Sequence, residues 1–292
     1  MTRGPLGRPG AVALVIGGLA CQEVGASFAV MLFPATGPLG IVMLRLVFSA
    51  LLLWAIARPT LRGRSADAWR AVVLFGLVLA LMNGFFYLAL ERLPLGVTVT
   101  IEVLGPLALS VIVARRLSAW LWAVLALAGV ALLAGGGGDD LDLIGVLFAL
   151  AAATCWAGYI LASARVGRAF SQLDGLAIAM AIGAAVALPF GIVDAGSALL
   201  SPLTLGLGAA VAVLSSAIPY ALELIALRTL PASGFAVLMS LAPATATVAG
   251  FVLLGQVLTV VELAGIALVI VASVGAVRAS GRAADAAARP VG

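Results

Sequence analysis

Long apolar runs alternate with short polar breaks along the whole chain. The runs are continuous rather than striped at a period of about 3.6 residues. Most are roughly 20 residues long, the length of helix that crosses a bilayer core of about 30 Å. The pattern predicts an all-α membrane protein with ten transmembrane helices, at 11–33, 38–57, 70–90, 94–114, 119–135, 142–162, 173–193, 202–226, 231–254 and 259–277. Arg3 and Arg8 precede the first run, as in a signal peptide. That run is longer than a signal core and contains Glu23, so it is expected to be a retained membrane helix. The short connections make sequential helices antiparallel neighbours. Residues 279–292, rich in Ala and Arg, are expected to form a disordered cytoplasmic tail.

Composition supports this reading. Hydrophobic residues make up 64% of the chain and charged residues 10%, with a mean hydropathy of +1.26. A soluble domain carries about 25% charged residues, so too few are present here to cover a water-facing surface. The net charge is +4, and every basic residue is arginine. In a soluble protein such a balance would suggest nucleic acid, but here the arginines punctuate apolar runs and act as topology signals. With ten spans, all but Arg45 and Arg92 fall in the tails and even-numbered loops on one side. The positive-inside rule then places both termini in the cytoplasm of a bacterial inner membrane. One span fewer would scatter the arginines over both sides.

The chain also repeats itself. Leu93-Pro94 recurs as Leu230-Pro231, Pro106 as Pro243, and Asn83 aligns with Tyr220, all 137 positions apart. Ala128-Gly129 recurs as Ala264-Gly265, and Cys21 aligns with Cys155, at nearly the same offset. Five spans per half is an odd number, so the halves, 11–136 and 142–278, must be inverted relative to one another. Inverted repeats place a binding site near the midplane between halves and permit alternating access.

Ionisable residues at bilayer depth carry the chemistry, because each costs about 2.5–3.5 kcal/mol on insertion scales and so faces protein or water. Glu102 lies mid-span, on one face with Thr98 and Gly105, just before Pro106 breaks the helical ladder. Glu223 shares a face with Ser216, Pro219 and Tyr220. Glu23 lies in the first span and Arg45 in the second. Each is either a cavity-lining group or a structural polar anchor between helices, and for Arg45 the anchor would be an ion pair. Asn83 and Tyr87 stand four residues apart in the third span, and Trp156 and Tyr159 lie together in the sixth. Such groups suit the wall of a site for a small polar ligand, or helix packing. Histidine is absent, which removes histidine triads, metal sites and relays. Cys21 and Cys155 form no metal or disulfide motif. The glycine run 135–138 lacks the Lys-Ser/Thr of a phosphate loop. No metal, cofactor or enzymatic role is expected, and transport energy would come from a gradient.

Several segments together carry a family resemblance: Met43-Leu-Arg-Leu46, Met82-Asn-Gly-Phe-Phe-Tyr-Leu88, Leu93-Pro-Leu-Gly96, Glu102-Val-Leu-Gly-Pro-Leu107, Cys155-Trp-Ala-Gly-Tyr-Ile160 and Pro219-Tyr-Ala-Leu-Glu223. In these the chain resembles the drug/metabolite transporter superfamily, its paired EamA-type domains in particular, and within it the threonine/homoserine exporter subgroup. The resemblance implies a ten-helix inverted-repeat exporter of small amino acids. The zwitterion's ammonium would meet Glu102 or Glu223. Its carboxylate would meet Arg45 or the freed N–H groups of a broken helix, with Tyr220, Asn83 and Tyr87 shaping the pocket. A proton is the expected coupling ion, exchanged at one glutamate. A homodimer is a candidate assembly. The alternative is an exporter of another small metabolite or a cationic drug.

Overall fold

In the computed structural model the described residues are 7–114, 117–135, 142–170, 172–227 and 229–287. They fold into helices joined by short turns. In order these are α1 (Arg8–Ala57), α2 (Ala66–Leu90), α3 (Leu95–Glu102), α4 (Leu104–Ala114), α5 (Leu117–Gly135), α6 (Leu143–Ala169), α7 (Gln172–Ala195), α8 (Pro202–Ala212), α9 (Ile218–Leu227), α10 (Ala232–Met239), α11 (Ala242–Leu254) and α12 (Val260–Ala287). Eight stretches among the described residues are long and apolar enough to cross a membrane, and Trp120–Leu133 in α5 is a shorter one. The longest of the eight, Pro9–Ala57, holds two crossings, so the described helices accommodate ten.

The departures from straight helix have chemical causes. α1 bends between Pro34 and Pro38, where Gly37 adopts φ 64° and ψ 166°. A side chain there would be strained, and a Cβ would also run into the Asp194 carboxylate. Asp194, near the end of α7, accepts hydrogen bonds from the Leu39 and Gly40 N–H groups at 2.8 and 3.3 Å. It thus caps the second crossing from outside the helix, satisfying donors that the bend leaves open.

The fourth and ninth crossings are broken at matching points. Pro106 has no N–H to give the Glu102 carbonyl, and α3 ends at Glu102. Pro243 does the same for Met239, where α10 ends. In the eighth crossing, α8 and α9 are joined by a π-turn at Val213–Ala217, just before Pro219. π-turns often mark functional sites.

The helices pack as an inverted repeat requires. α2 lies against α6, as the first part of α1 lies against α9, with α8 reaching Leu44 in its second part. α3 pairs with α11, α5 with α12, and the second part of α1 with α7. Small residues permit the closest of these approaches. A Cβ on Gly129 would come within 2.7 Å of the Gly265 carbonyl, and one on Gly265 within 2.6 Å of the Gly129 carbonyl. Outward positions such as Leu51, Val113, Leu121 and Phe251 are exposed and apolar, a surface suited to lipid.

One feature differs from the sequence reading. α12 continues to Ala287, so much of the expected disordered tail is helical; its alanines are strong helix formers. Glu262 closes a capping box at the start of α12. Its carboxylate accepts from the Thr259 N–H at 2.6 Å and the Thr259 hydroxyl at 2.8 Å.

Candidate functional site

Where the two halves meet there is a cavity of about 180 Å³. That is the volume of roughly six waters at about 30 Å³ each, enough for a small amino acid. Its wall is built from both halves. α1 supplies Gln22, Glu23, Ala26 and, beyond its bend, Arg45; α2 supplies Met82, Asn83 and Phe86. α3 adds Val99 and Glu102, α6 adds Trp156 and Tyr159, and α9, α10 and α11 add Glu223, Met239 and Ala242. Glu102 and Met239 are repeat equivalents, each ending its helix one turn before a proline. The broken helices therefore deliver a carboxylate from one half and a thioether from the other.

Arg45 is held by two different crossings. Its Nη2 donates to the Ser215 carbonyl at 3.0 Å, and its Nη1 to the Tyr87 hydroxyl at 3.3 Å. Pro219 explains the first bond. Lacking an N–H, it cannot be the donor four residues on that the Ser215 carbonyl would have in a regular helix. The second bond is framed by aromatic packing. The guanidinium carbon lies 5.7 Å from the Tyr87 ring centre, and that ring touches Phe33 at 6.0 Å and Phe86 at 5.6 Å.

The carboxylates are less well provided for. Glu23 is only 2% exposed, yet its Oε2 has no hydrogen-bond partner. The neighbouring Ser27 hydroxyl donates to the Glu23 backbone carbonyl at 2.9 Å and not to its side chain. Asn83 Nδ2 donates to the Leu79 carbonyl at 2.9 Å, which fixes the amide in the wall. Tyr159 is steadied by Phe75, ring centres 5.0 Å apart.

Of the residues singled out from sequence, Glu23, Arg45, Asn83, Glu102, Trp156, Tyr159 and Glu223 line this one cavity. Tyr87 does not. It is fully buried behind Arg45, because the helix face it shares with Asn83 also meets α1. The side chain of Tyr220 lies outside the described residues. Gln22, Met82, Phe86, Val99 and Met239 were not anticipated. Apart from Gln22 they are apolar residues in an apolar chain and carry no local signal.

A second chamber of about 220 Å³, apolar in its lining, adjoins the first through Trp156 and Met239. Its other walls come from Pro106 to Ser110, Phe235 and Ser273 to Val277, which lead toward the arginine-bearing ends of their helices. The charges in the central cavity can thus hold a small ligand bearing both signs, next to an apolar passage on one side.

The chain is similar in sequence and in fold to several known proteins. The EamA-like transporter family matches residues 143–278. The threonine/homoserine exporter RhtA of Salmonella typhimurium (strain SL1344) is 43% identical over 256 residues, 87% of this chain and 86% of that protein. The protein of the same name from Escherichia coli (strain K12) is 40% identical over 267 residues, 90% of each. An uncharacterized transporter, YwfM of Bacillus subtilis (strain 168), is 31% identical over 69% of this chain and 71% of its own length. A crystal structure that is 19% identical superposes with a TM-score of 0.63, covering 93% of this chain and 98% of the other, and shares the fold.

Proposed function

From its membership of the EamA-type drug/metabolite transporters, in the branch of the RhtA threonine/homoserine exporters, we propose that this chain exports threonine, homoserine or a similar small zwitterion across the bacterial inner membrane. The observation that carries the reading is the presence of a guanidinium, Arg45, and a carboxylate, Glu102, on the wall of one cavity between the halves. Arg45 takes the substrate carboxylate, for which a planar two-pronged donor is well matched. Glu102 takes the ammonium. Asn83, Tyr159 and Trp156 bound the side-chain end, and Glu223 also lines the wall.

The two halves, 11–136 and 142–278, rock about this site so that it opens alternately to each side. Both termini lie in the cytoplasm, as the arginine distribution demands. A proton moving inward through one of the cavity carboxylates drives substrate outward.

The test has two arms. Expression in an export-deficient strain should restore growth on toxic threonine or homoserine, and Glu102→Gln should abolish the rescue. In proteoliposomes, an imposed pH gradient should drive threonine counterflow and be dissipated by it. Rescue without any response to the gradient would remove the coupling and leave the substrate assignment standing. A carrier of cationic drugs, the alternative, needs no carboxylate partner. It predicts that Arg45→Ala leaves cation efflux intact while amino-acid resistance never appears.

A further inference from the structure

The central cavity holds more negative groups than its assigned substrate can use. Glu23, Glu102 and Glu223 face one arginine, Arg45. A zwitterion brings one charge of each sign, so binding it leaves that imbalance untouched. Once Glu102 meets the ammonium and Arg45 the carboxylate, two acidic side chains remain without a cationic partner from the ligand. In a wall of low dielectric an uncompensated carboxylate is costly.

Glu23 is the one the protein serves least. It is 2% exposed, it lines the cavity, and its Oε2 accepts no hydrogen bond from any described residue. Buried polar atoms are ordinarily partnered, and an exception calls for a ligand, a water or a proton. The nearby hydroxyl that could have served it, Ser27, is turned to the main chain. Glu23 thus brings to the chamber wall a carboxyl group with one oxygen that no described residue serves.

We propose that Glu23 is the subsite for a second, side-chain ammonium, so that the chamber accepts short dibasic amino acids as well as neutral ones. The fitting probe is 2,4-diaminobutyrate. It has the carbon skeleton of homoserine with the terminal hydroxyl replaced by an ammonium, so it adds the missing positive charge without adding length. This rests on the zwitterion reading above, since the α-amino and α-carboxylate groups are held as described there.

The experiment is counterflow of labelled homoserine in proteoliposomes, with unlabelled homoserine or 2,4-diaminobutyrate on the opposite side. The expected result is exchange driven by both. Glu23→Gln should then shift the ratio of their half-saturation concentrations by about tenfold in favour of homoserine, the worth of one charge-assisted hydrogen bond. Exchange driven by homoserine but not by 2,4-diaminobutyrate would overturn the proposal alone, and would assign the spare carboxylates to protons. So would an unshifted ratio in the variant. Uptake of labelled 2,4-diaminobutyrate with no homoserine transport at all would instead sink the zwitterion reading.

Discussion

Replacing Tyr87 by Phe removes one oxygen atom and isolates the part that the second crossing's arginine plays. The ring stays, and with it the packing on Phe33 and Phe86 and the face presented to Arg45 at 5.7 Å. What goes is the acceptor for Arg45 Nη1 at 3.3 Å. A hydrogen bond to a charged group contributes about 1.5–3 kcal/mol at good geometry. At 3.3 Å the bond is longer than the usual range of about 2.7–3.2 Å, so its worth falls to about 1 kcal/mol. Arg45 keeps its bond to the Ser215 carbonyl but loses one restraint on its direction. At about 1.4 kcal/mol per tenfold, threonine should bind roughly fivefold more weakly. The assay is competition against labelled threonine counterflow, by threonine and by threonine amide. The amide lacks the carboxylate and engages only the glutamate side. Tyr87→Phe should weaken competition by threonine and leave that by the amide in place. Equal weakening of both ligands would refute the reasoning, since the tyrosine would then support the cavity in general rather than the guanidinium.

Other outcomes follow from the packing and the loops. A Cβ on Gly105 would collide with the Ala153 backbone carbonyl, so Gly105→Ala should lower the melting temperature in detergent by the equivalent of about 1–3 kcal/mol. Gly167→Ala, in an open position of α6, should not lower it. Asp142 caps α6 through the Ile144 and Gly145 N–H groups and bonds Arg92 at 2.9 Å. The Gly145 N–H first, and Arg92 after it, hold its carboxyl below the ordinary value of 3.8. A lowered value stabilises the fold above the ordinary range and loses that effect as pH falls through the lowered one. The melting difference between wild type and Asp142→Asn should therefore be constant from neutral pH to about 5 and shrink below about 4. On the arginine-rich side, Arg64 joins the halves. It donates to the Ala169 carbonyl at 2.9 Å and to Asp174 at 3.4 Å, over the Phe170 ring. Arg64→Ala should lower the melting temperature more than Arg70→Ala, whose aspartate contact is fully in water.

Much of this was legible before any coordinates. Apolar length announces the crossings, because hydrocarbon tolerates neither open backbone nor stray charge. The same energetics singles out Glu23, Arg45, Glu102 and Glu223, and all four line the cavity. Pro106 marked one broken helix in advance, and the repeat pairs it with Pro243, which breaks the other. The Thr259–Glu262 capping box was readable too, as a Thr-x-x-Glu before an apolar run.

What escaped was set by tertiary contact. The π-turn at Val213–Ala217 has no local signature; it belongs with Pro219 and with an arginine 170 positions away that takes the Ser215 carbonyl. Tyr87 was placed in the pocket from its spacing to Asn83. Spacing fixes a helix face, but that face is wide enough to meet both the cavity and α1. Asp194 capping the bend of α1 is a contact across 155 positions, beyond any window of local pattern.

The central claim is that one small molecule is held by Arg45 and Glu102 together. Binding of labelled threonine to the purified protein, measured for wild type, Arg45→Ala and Glu102→Gln, tests it most directly. The account predicts saturable binding to wild type, displaced by homoserine and only poorly by threonine amide or N-acetylthreonine. It predicts a loss of about tenfold or more in each variant. Wild-type affinity retained in both variants would contradict it.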